Sequence, residues 1–254
     1  MSSPATPTLT PLNPRLHAGL HLRPSQDYGF ARAMLLAPIV LDELAEVARE
    51  YAIVFPQGSE LPCALLGVQE GCNAYVGPDG TWLARYVPAH IRHQPFALGL
   101  PEAGSAVAGL LVDLGSPLLG PAPGEPLFDE RGAPAAALQS AIDLLQALHA
   151  RQGVTRAQVQ AIERAGLLVE RGVEIRHADG EVHRVRGLRV IDEPALNALD
   201  TAAFDQLRRS GALPLVYAHL LSFAHLRQGP IGRAHPLPAN AGLQDLPEDS
   251  PWLP

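Results

Sequence analysis

The side chains best suited to chemistry gather between Asn73 and Phe96, where Tyr75, Trp82, Tyr86, His90, Arg92 and His93 fall close together in a chain that is only 5% aromatic. Arg92 stands among Pro88, Ile91, Pro95 and Phe96, so its guanidinium is expected to be partly enclosed and to need an acceptor. As a ligand group it would clamp a carboxylate or phosphate, with Tyr86 and Trp82 as an aromatic wall. As a structural group it would pair with an internal acid such as Asp113, Asp129 or Asp192. Asn73, Trp82, Tyr86 and Arg92, joined by Tyr217 and His219, form the expected ligand-binding set.

Ten histidines raise the question of a metal. In His177-Ala-Asp179 an imidazole and a carboxylate share one face of a strand, and His219 could complete a two-histidine, one-carboxylate triad for non-haem iron. Asp179-Gly180 reads as a hairpin tip, however, which argues against that triad. His90-x-x-His93, read as extended chain, sends its rings to opposite faces. His17-x-x-x-His21 shares a face but falls on a strand edge or loop. No Gly-x-Ser-x-Gly elbow is present, and Ser105 and Ser116 follow glycines in turn-like pairs. Ser222, near His219, is expected to bond the helix backbone one turn back.

All 19 basic residues are arginine, which excludes a Schiff-base lysine, a P-loop lysine and a Ser–Lys dyad. Cys63 and Cys72 lack the spacing of a zinc site or a disulfide framework. No glycine-rich phosphate cradle occurs, and no cofactor is called for. The net charge of −7 argues against general affinity for nucleic acid or anionic membrane. The longest uncharged apolar stretch, Gly211 to Leu226, is too short to span a bilayer, and the N-terminus lacks a secretory layout. The expected location is the cytoplasm.

These groups need a scaffold, and 254 residues with 47% hydrophobic content can build one. Residues 1–13 read as a flexible leader and 229–254 as a proline-rich acidic tail. Between them the pattern predicts one α+β domain over 14–228. A β-rich lobe, mixed or antiparallel, covers about 14–132, and a mostly helical lobe about 133–228. Strands are expected at Leu16–Leu22, Ala52–Phe55, Cys63–Val68 and Ala106–Leu114. A helix over 41–51 would bury Leu41, Leu44, Val47, Ala48 and Tyr51. Gly77-Pro78-Asp79-Gly80 is a hairpin turn that places Trp82, Ala84 and Tyr86 on one side.

In the second lobe one helix starts near Pro134 and stops at Gly153, and a shorter one runs from a Thr155-x-x-Gln158 capping box to Gly166. A hairpin over 173–191, a helix from Pro194 to Gly211 and a buried helix over 213–226 complete the pattern. A short helix followed by a hairpin also suggests a winged helix, in which Arg156, Gln158, Gln160 and Arg164 would read DNA. The acidic chain and the absence of a preceding helix at the right distance argue against it.

The order of these signals resembles the SapC family. The matching residues are Pro56, Leu66-Gly67, Asn73, Asp79-Gly80-x-Trp82, Tyr86-x-Pro88, Ile91-Arg92 and Pro95-Phe96. Leu127-Phe128-Asp129 with Gly132, Gly187-Leu188, Asp192-Glu193 and Tyr217-Ala-His219-Leu-Leu-Ser222 follow. The similarity covers about residues 15–227, with Gln94 standing where an aromatic residue is expected. The resemblance implies a bacterial accessory protein linked to a surface layer or to peptide handling, with a protein or small peptide-like partner. It carries no catalytic residues over. The sequence therefore favours a non-catalytic binding protein, with a metal-dependent enzyme acting on a peptide or amino acid as the alternative and a nucleic-acid binder as the second.

Overall fold

In this computed structural model residues 9–23, 26–101, 108–176 and 182–234 are described. The first zone carries β1 (Leu9–Pro11), β2 (His21–Leu22), β3 (Leu36–Pro38) and a 3-10 turn (Leu41–Glu43) leading into α1 (Leu44–Val47). It continues with β4 (Ala52–Pro56), β5 (Cys63–Leu65), α2 (Ala89–Arg92) and β6 (Phe96–Pro101). Then come β7 (Ala108–Asp113), β8 (Leu119–Gly120) and β9 (Glu125–Pro126). The second zone opens with α3 (Ala136–Arg164), followed by β10 (Leu168–Arg176) and β11 (Val182–Ile191). It closes with α4 (Glu193–Asn197), α5 (Thr201–Arg209), α6 (Leu213–Ser222), α7 (His225–Gln228) and α8 (Pro230–Ala234). The fold is mixed α+β with antiparallel sheets.

The main sheet has the order β10-β11-β4-β5-β3, so its strands come from both zones. Leu188 and Arg189 of β11 pair with Pro56 and Phe55 of β4, which joins the second-zone hairpin to the first-zone meander. The two composition zones are thus interleaved in one sheet. A second sheet, β1-β7-β6, and a small one, β8-β2-β9, lie beside it. β1 falls within the segment expected as a flexible leader, yet Leu9 to Pro11 pair with Asp113 to Leu111. Likewise α8 lies where the tail was expected to begin, and its Ile231 is fully buried. Of the strand expected over 16–22 only β2 forms, because Asn13 Oδ1 accepts from the N–H groups of Arg15 and Leu16 and bends the chain into a turn.

Among the described residues two apolar cores result. The larger holds Ile39, Val47, Tyr51, Phe55, Leu65 and Leu215 among others. The smaller joins Phe96, Val112, Leu119, Leu127 and Phe128 to Leu138 and Leu145. Helix α3 is the spine between them, with Leu138 and Leu145 in the small core and Val159 and Ile162 in the large one. It is a single helix of 29 residues, about 43 Å long at the usual rise. It does not stop at Gly153, and Thr155 does not cap: its hydroxyl donates to the Arg151 carbonyl and accepts from Leu41 N–H. One interior glycine costs about 1 kcal/mol, less than burying the four apolar side chains that anchor both ends, at about 1.5–3 kcal/mol each. Gly166, at φ +69°, closes the helix as expected.

The other helical expectations hold in part. The 41–51 segment forms a 3-10 turn and one α-turn rather than a full helix, yet Leu44, Val47 and Tyr51 are buried. The 194–211 stretch divides into α4 and α5, each capped by an aspartate, Asp192 accepting from Ala195 N–H and Asp200 from Ala203 N–H. Helix α6 buries Leu215, Val216, His219 and Ser222 but leaves Tyr217 and Leu221 exposed. Among the described residues no helix is long and apolar enough to cross a membrane.

Candidate functional site

The turn after Val76 forms as its residues dictate. Asp79 Oδ1 accepts from the N–H and hydroxyl of Thr81, Gly80 N–H donates to the Gly77 carbonyl, and Gly80 takes φ +86°. Only Val76 and Trp82 make a bridge across it, so the flanks are not regular strands. The alternation persists nonetheless: Trp82, Ala84 and Tyr86 turn inward while Thr81, Leu83 and Arg85 are exposed.

Those inward rings are tied down by the protein itself. Trp82 Nε1 donates to Tyr51 Oη at 2.7 Å, and Tyr51 Oη donates to the Tyr86 carbonyl. Tyr75 stacks on Tyr51 at 4.4 Å and donates to the Glu50 carbonyl. The Glu50 carboxylate accepts from the backbone N–H groups of Arg85 and Tyr86. Buried Glu43 accepts from Val40 N–H at 3.1 Å, Tyr86 Oη at 2.7 Å and Ala89 N–H at 2.9 Å. Burial, then the bond to Glu43, pushes the Tyr86 phenol up to about 12, and burial raises Tyr51 and Tyr75 as well. These groups act as a frame that holds the 82–89 segment. Glu43, its hub, escapes sequence reading, since two of its three donors, Tyr86 Oη and Ala89 N–H, are long-range and meet it only in the folded chain.

Arg92 differs from the expected enclosed cation. It is exposed, with Nε donating to the Val87 carbonyl at 3.0 Å, Nη2 to Tyr86 Oη at 3.1 Å, and its guanidinium 5.4 Å from the Tyr86 ring centre. Its partner is neither a cleft nor Asp113, Asp129 or Asp192. Asn73 is buried, its amide donating to the Ala31 carbonyl and accepting from Tyr75 N–H. His219 sits elsewhere, its ring tilted against Phe55 and edge to face with Phe223, with Nε2 accepting from Ile191 N–H at 3.0 Å. Nδ1 must then carry the proton; it has no partner at bonding distance, although the nearby Ile53 carbonyl favours it. Burial pushes this imidazole down to about 3. Ser222 donates to the His219 carbonyl and accepts from Ile53 N–H, the local bond expected of a helical serine. Tyr217 lies on the exposed face of the same helix. The six side chains expected to bind together therefore do not line one hollow.

As for the metal triad, His177 and Asp179 lie outside the described residues, and the Nε2 lone pair of His219 is occupied by Ile191. Among the described residues no group of three His, Cys, Asp or Glu side chains is placed to hold a metal ion. The segment compared with a recognition helix is the second half of α3, where Arg156 faces Glu60 and Gln158 Oε1 is enclosed.

A hollow lies where α3 crosses from one core to the other. This open cleft, about 680 Å³, is bounded by Pro38 at the end of β3 and Ile39 just after it, by Ala97, Leu98 and Gly99 of β6, by His90 and His93, and by the Leu145–Arg156 face of α3. Strands β3 and β6 are each the edge of their sheet. Polar side chains interrupt its apolar walls, Gln146, His149 and Gln152 on α3 among them, and two features stand out. Arg156 Nε lies 3.0 Å from Glu60 Oε2 without pointing along a hydrogen bond to it, and Nη2 donates to Gln152 Oε1 at 3.4 Å. The guanidinium keeps further N–H donors for a second acceptor.

The second feature is the histidine pair. Contrary to the extended-chain expectation, residues 89–92 are helical, so His90 and His93 meet edge to face with ring centres 5.0 Å apart. His93 Nδ1 must donate to the Phe96 carbonyl at 2.8 Å, because a carbonyl only accepts. Burial holds His93 below its ordinary value, so the ring is neutral and its Nε2 is a lone pair. The 3.3 Å contact then requires His90 Nδ1 to donate to His93 Nε2. Burial, with His93 beside it, pushes His90 down to about 4, and its own Nε2 is left as an acceptor. The sequence offers one signal for this arrangement, Pro88, which suits the position before a helical turn.

Compared with known families, residues 12–228 match the family model described as SapC. No curated protein and no solved structure matches.

Proposed function

The chain belongs to the SapC family, and from that premise we propose that it is a non-catalytic accessory protein of a bacterial surface-layer or peptide-handling system, binding its ligand in the cleft beside α3. One observation carries this reading: a hollow of about 680 Å³, within the size range of small-molecule sites, sets a spare-donor guanidinium and a neutral imidazole acceptor over apolar walls. Opposed donor and acceptor groups orient a guest, and the apolar walls supply the driving force. The cleft lies between two cores joined by one helix, a site where a guest contacts both halves at once.

Thermal unfolding of the full chain with a panel of short peptides and apolar carboxylic acids tests the proposal. A member present at 100 times its dissociation constant adds about 2.7 kcal/mol, or a rise of roughly 5–10 °C for a domain of this size. Gln152→Trp, which fills the cleft from α3, is expected to abolish the rise, and the ligand is expected to be recovered unchanged. A panel that never shifts the wild type, or a shift undiminished by Gln152→Trp, sinks the proposal.

A further inference from the structure

Resting on the cleft as the ligand site, we infer that its occupant is the free C-terminal end of an extended apolar peptide, with the terminal carboxylate on Arg156 and a peptide N–H donated to His90 Nε2. Charge complementarity selects the carboxylate. Arg156 lines the cleft with donors that Glu60 and Gln152 leave free. A planar guanidinium matches a carboxylate in a two-bond fork. The tautomer chain selects the N–H: His93 is fixed by Phe96, His90 by His93, and the nitrogen that remains can only accept.

The edge of β6 selects an extended peptide over a compact acid. Strand β6 pairs with β7 in the register Phe96–Val112, Ala97–Leu111 and Leu98–Leu110. Asp113 N–H donates to the Pro95 carbonyl, which makes the Pro95 and Ala97 positions the hydrogen-bonded ones. The N–H and C=O of Phe96 and Leu98 consequently point away from β7. His93 takes both groups of Phe96, its carbonyl accepting from Phe96 N–H and its Nδ1 donating to the Phe96 carbonyl. Leu98 is the next outward position, and it lines the cleft. Among the described residues Leu98 takes no further backbone partner, and such an edge pairs with another extended backbone, the mode by which peptides add to sheets. The volume of about 680 Å³ holds more than a single residue.

Calorimetric titration of the full chain with acetyl-Ala-Ala-Leu, its C-terminal amide, and the analogue with an ester in place of the leucine N–H tests this assignment. The acid is expected to bind at least about tenfold more tightly than the amide and than the ester, one charge-assisted or buried bond being about 1.4 kcal/mol or more. Arg156→Gln is expected to lower affinity for the acid about tenfold while leaving the amide unchanged. The fold survives it, because the Glu60 pair is exposed and contributes little. Amide exchange over 96–101 is expected to slow in the complex. Equal binding of acid and amide, or undiminished binding by Arg156→Gln, overturns the assignment. So does failure of the tripeptide while another panel member still raises the melting temperature through the Gln152-sensitive cleft; that result leaves the binding function standing. Failure of every panel member removes both.

Discussion

Acidification provides the sharpest test of the buried imidazoles. His90 and His219 are held at about 4 and about 3, in both cases first by burial, and His93 is displaced the same way. In the unfolded chain each returns to about 6.5. Below that value the unfolded state binds more protons than the folded one, so stability falls as pH drops and keeps falling until the folded value is reached. Between about pH 7 and about pH 5 each of the two imidazoles removes about 1.9 kcal/mol, so the pair removes about 4 kcal/mol. His93 adds to this loss. Most carboxylates remain ionised over that window, so the slope belongs to the histidines. Urea unfolding at several pH values measures it directly, and the expected slope is about 2.4 kcal/mol per pH unit or more near about pH 5.5. His219→Gln retains an acceptor for Ile191 N–H and is expected to cut the slope there by about 1.2 kcal/mol per unit. A stability change under about 1 kcal/mol across the window would mean that neither imidazole is enclosed and neutral, and the tautomer assignment at His90 would fall with it.

Three further outcomes test the scaffold. Gly153→Ala is expected to stabilise the protein by about 1 kcal/mol in chemical denaturation, because the added methyl meets nothing within 4 Å and the helix is continuous there; a loss would indicate a helix end. Glu43→Gln turns an amide N–H₂ toward one of the three donors and is expected to cost about 1–3 kcal/mol by the same method, whereas a neutral result would refute Glu43 as the hub. Gly67→Ala places a Cβ 2.1 Å from the Cys72 carbonyl oxygen, so a loss of about 3 kcal/mol or more is expected in melting experiments, and an unchanged melting temperature would refute that close approach.

Local chemistry made part of this molecule legible from its sequence. The Pro78-Asp79-Gly80 turn, the inward set Trp82, Ala84 and Tyr86, the strands at Ala52–Pro56 and Ala108–Asp113, and the glycine stops at 166 and 211 all depend on neighbours in the chain. A proline, an alternating pattern or a positive φ carries its meaning wherever it is placed. What remained hidden depends on residues far apart. Gly153 looks like a stop until α3 is seen anchored in two cores, and Glu43 is an ordinary acid until Tyr86 and Ala89 arrive 43 and 46 positions later. His90 and His93 face apart in an extended chain but meet in one helical turn, and Arg156 reaches a cleft that exists only because β6 and the end of β3 border the same helix. Tertiary packing, by fixing which backbone each segment adopts and which distant groups share low-dielectric space, decided the site; sequence alone determined the pieces it is built from.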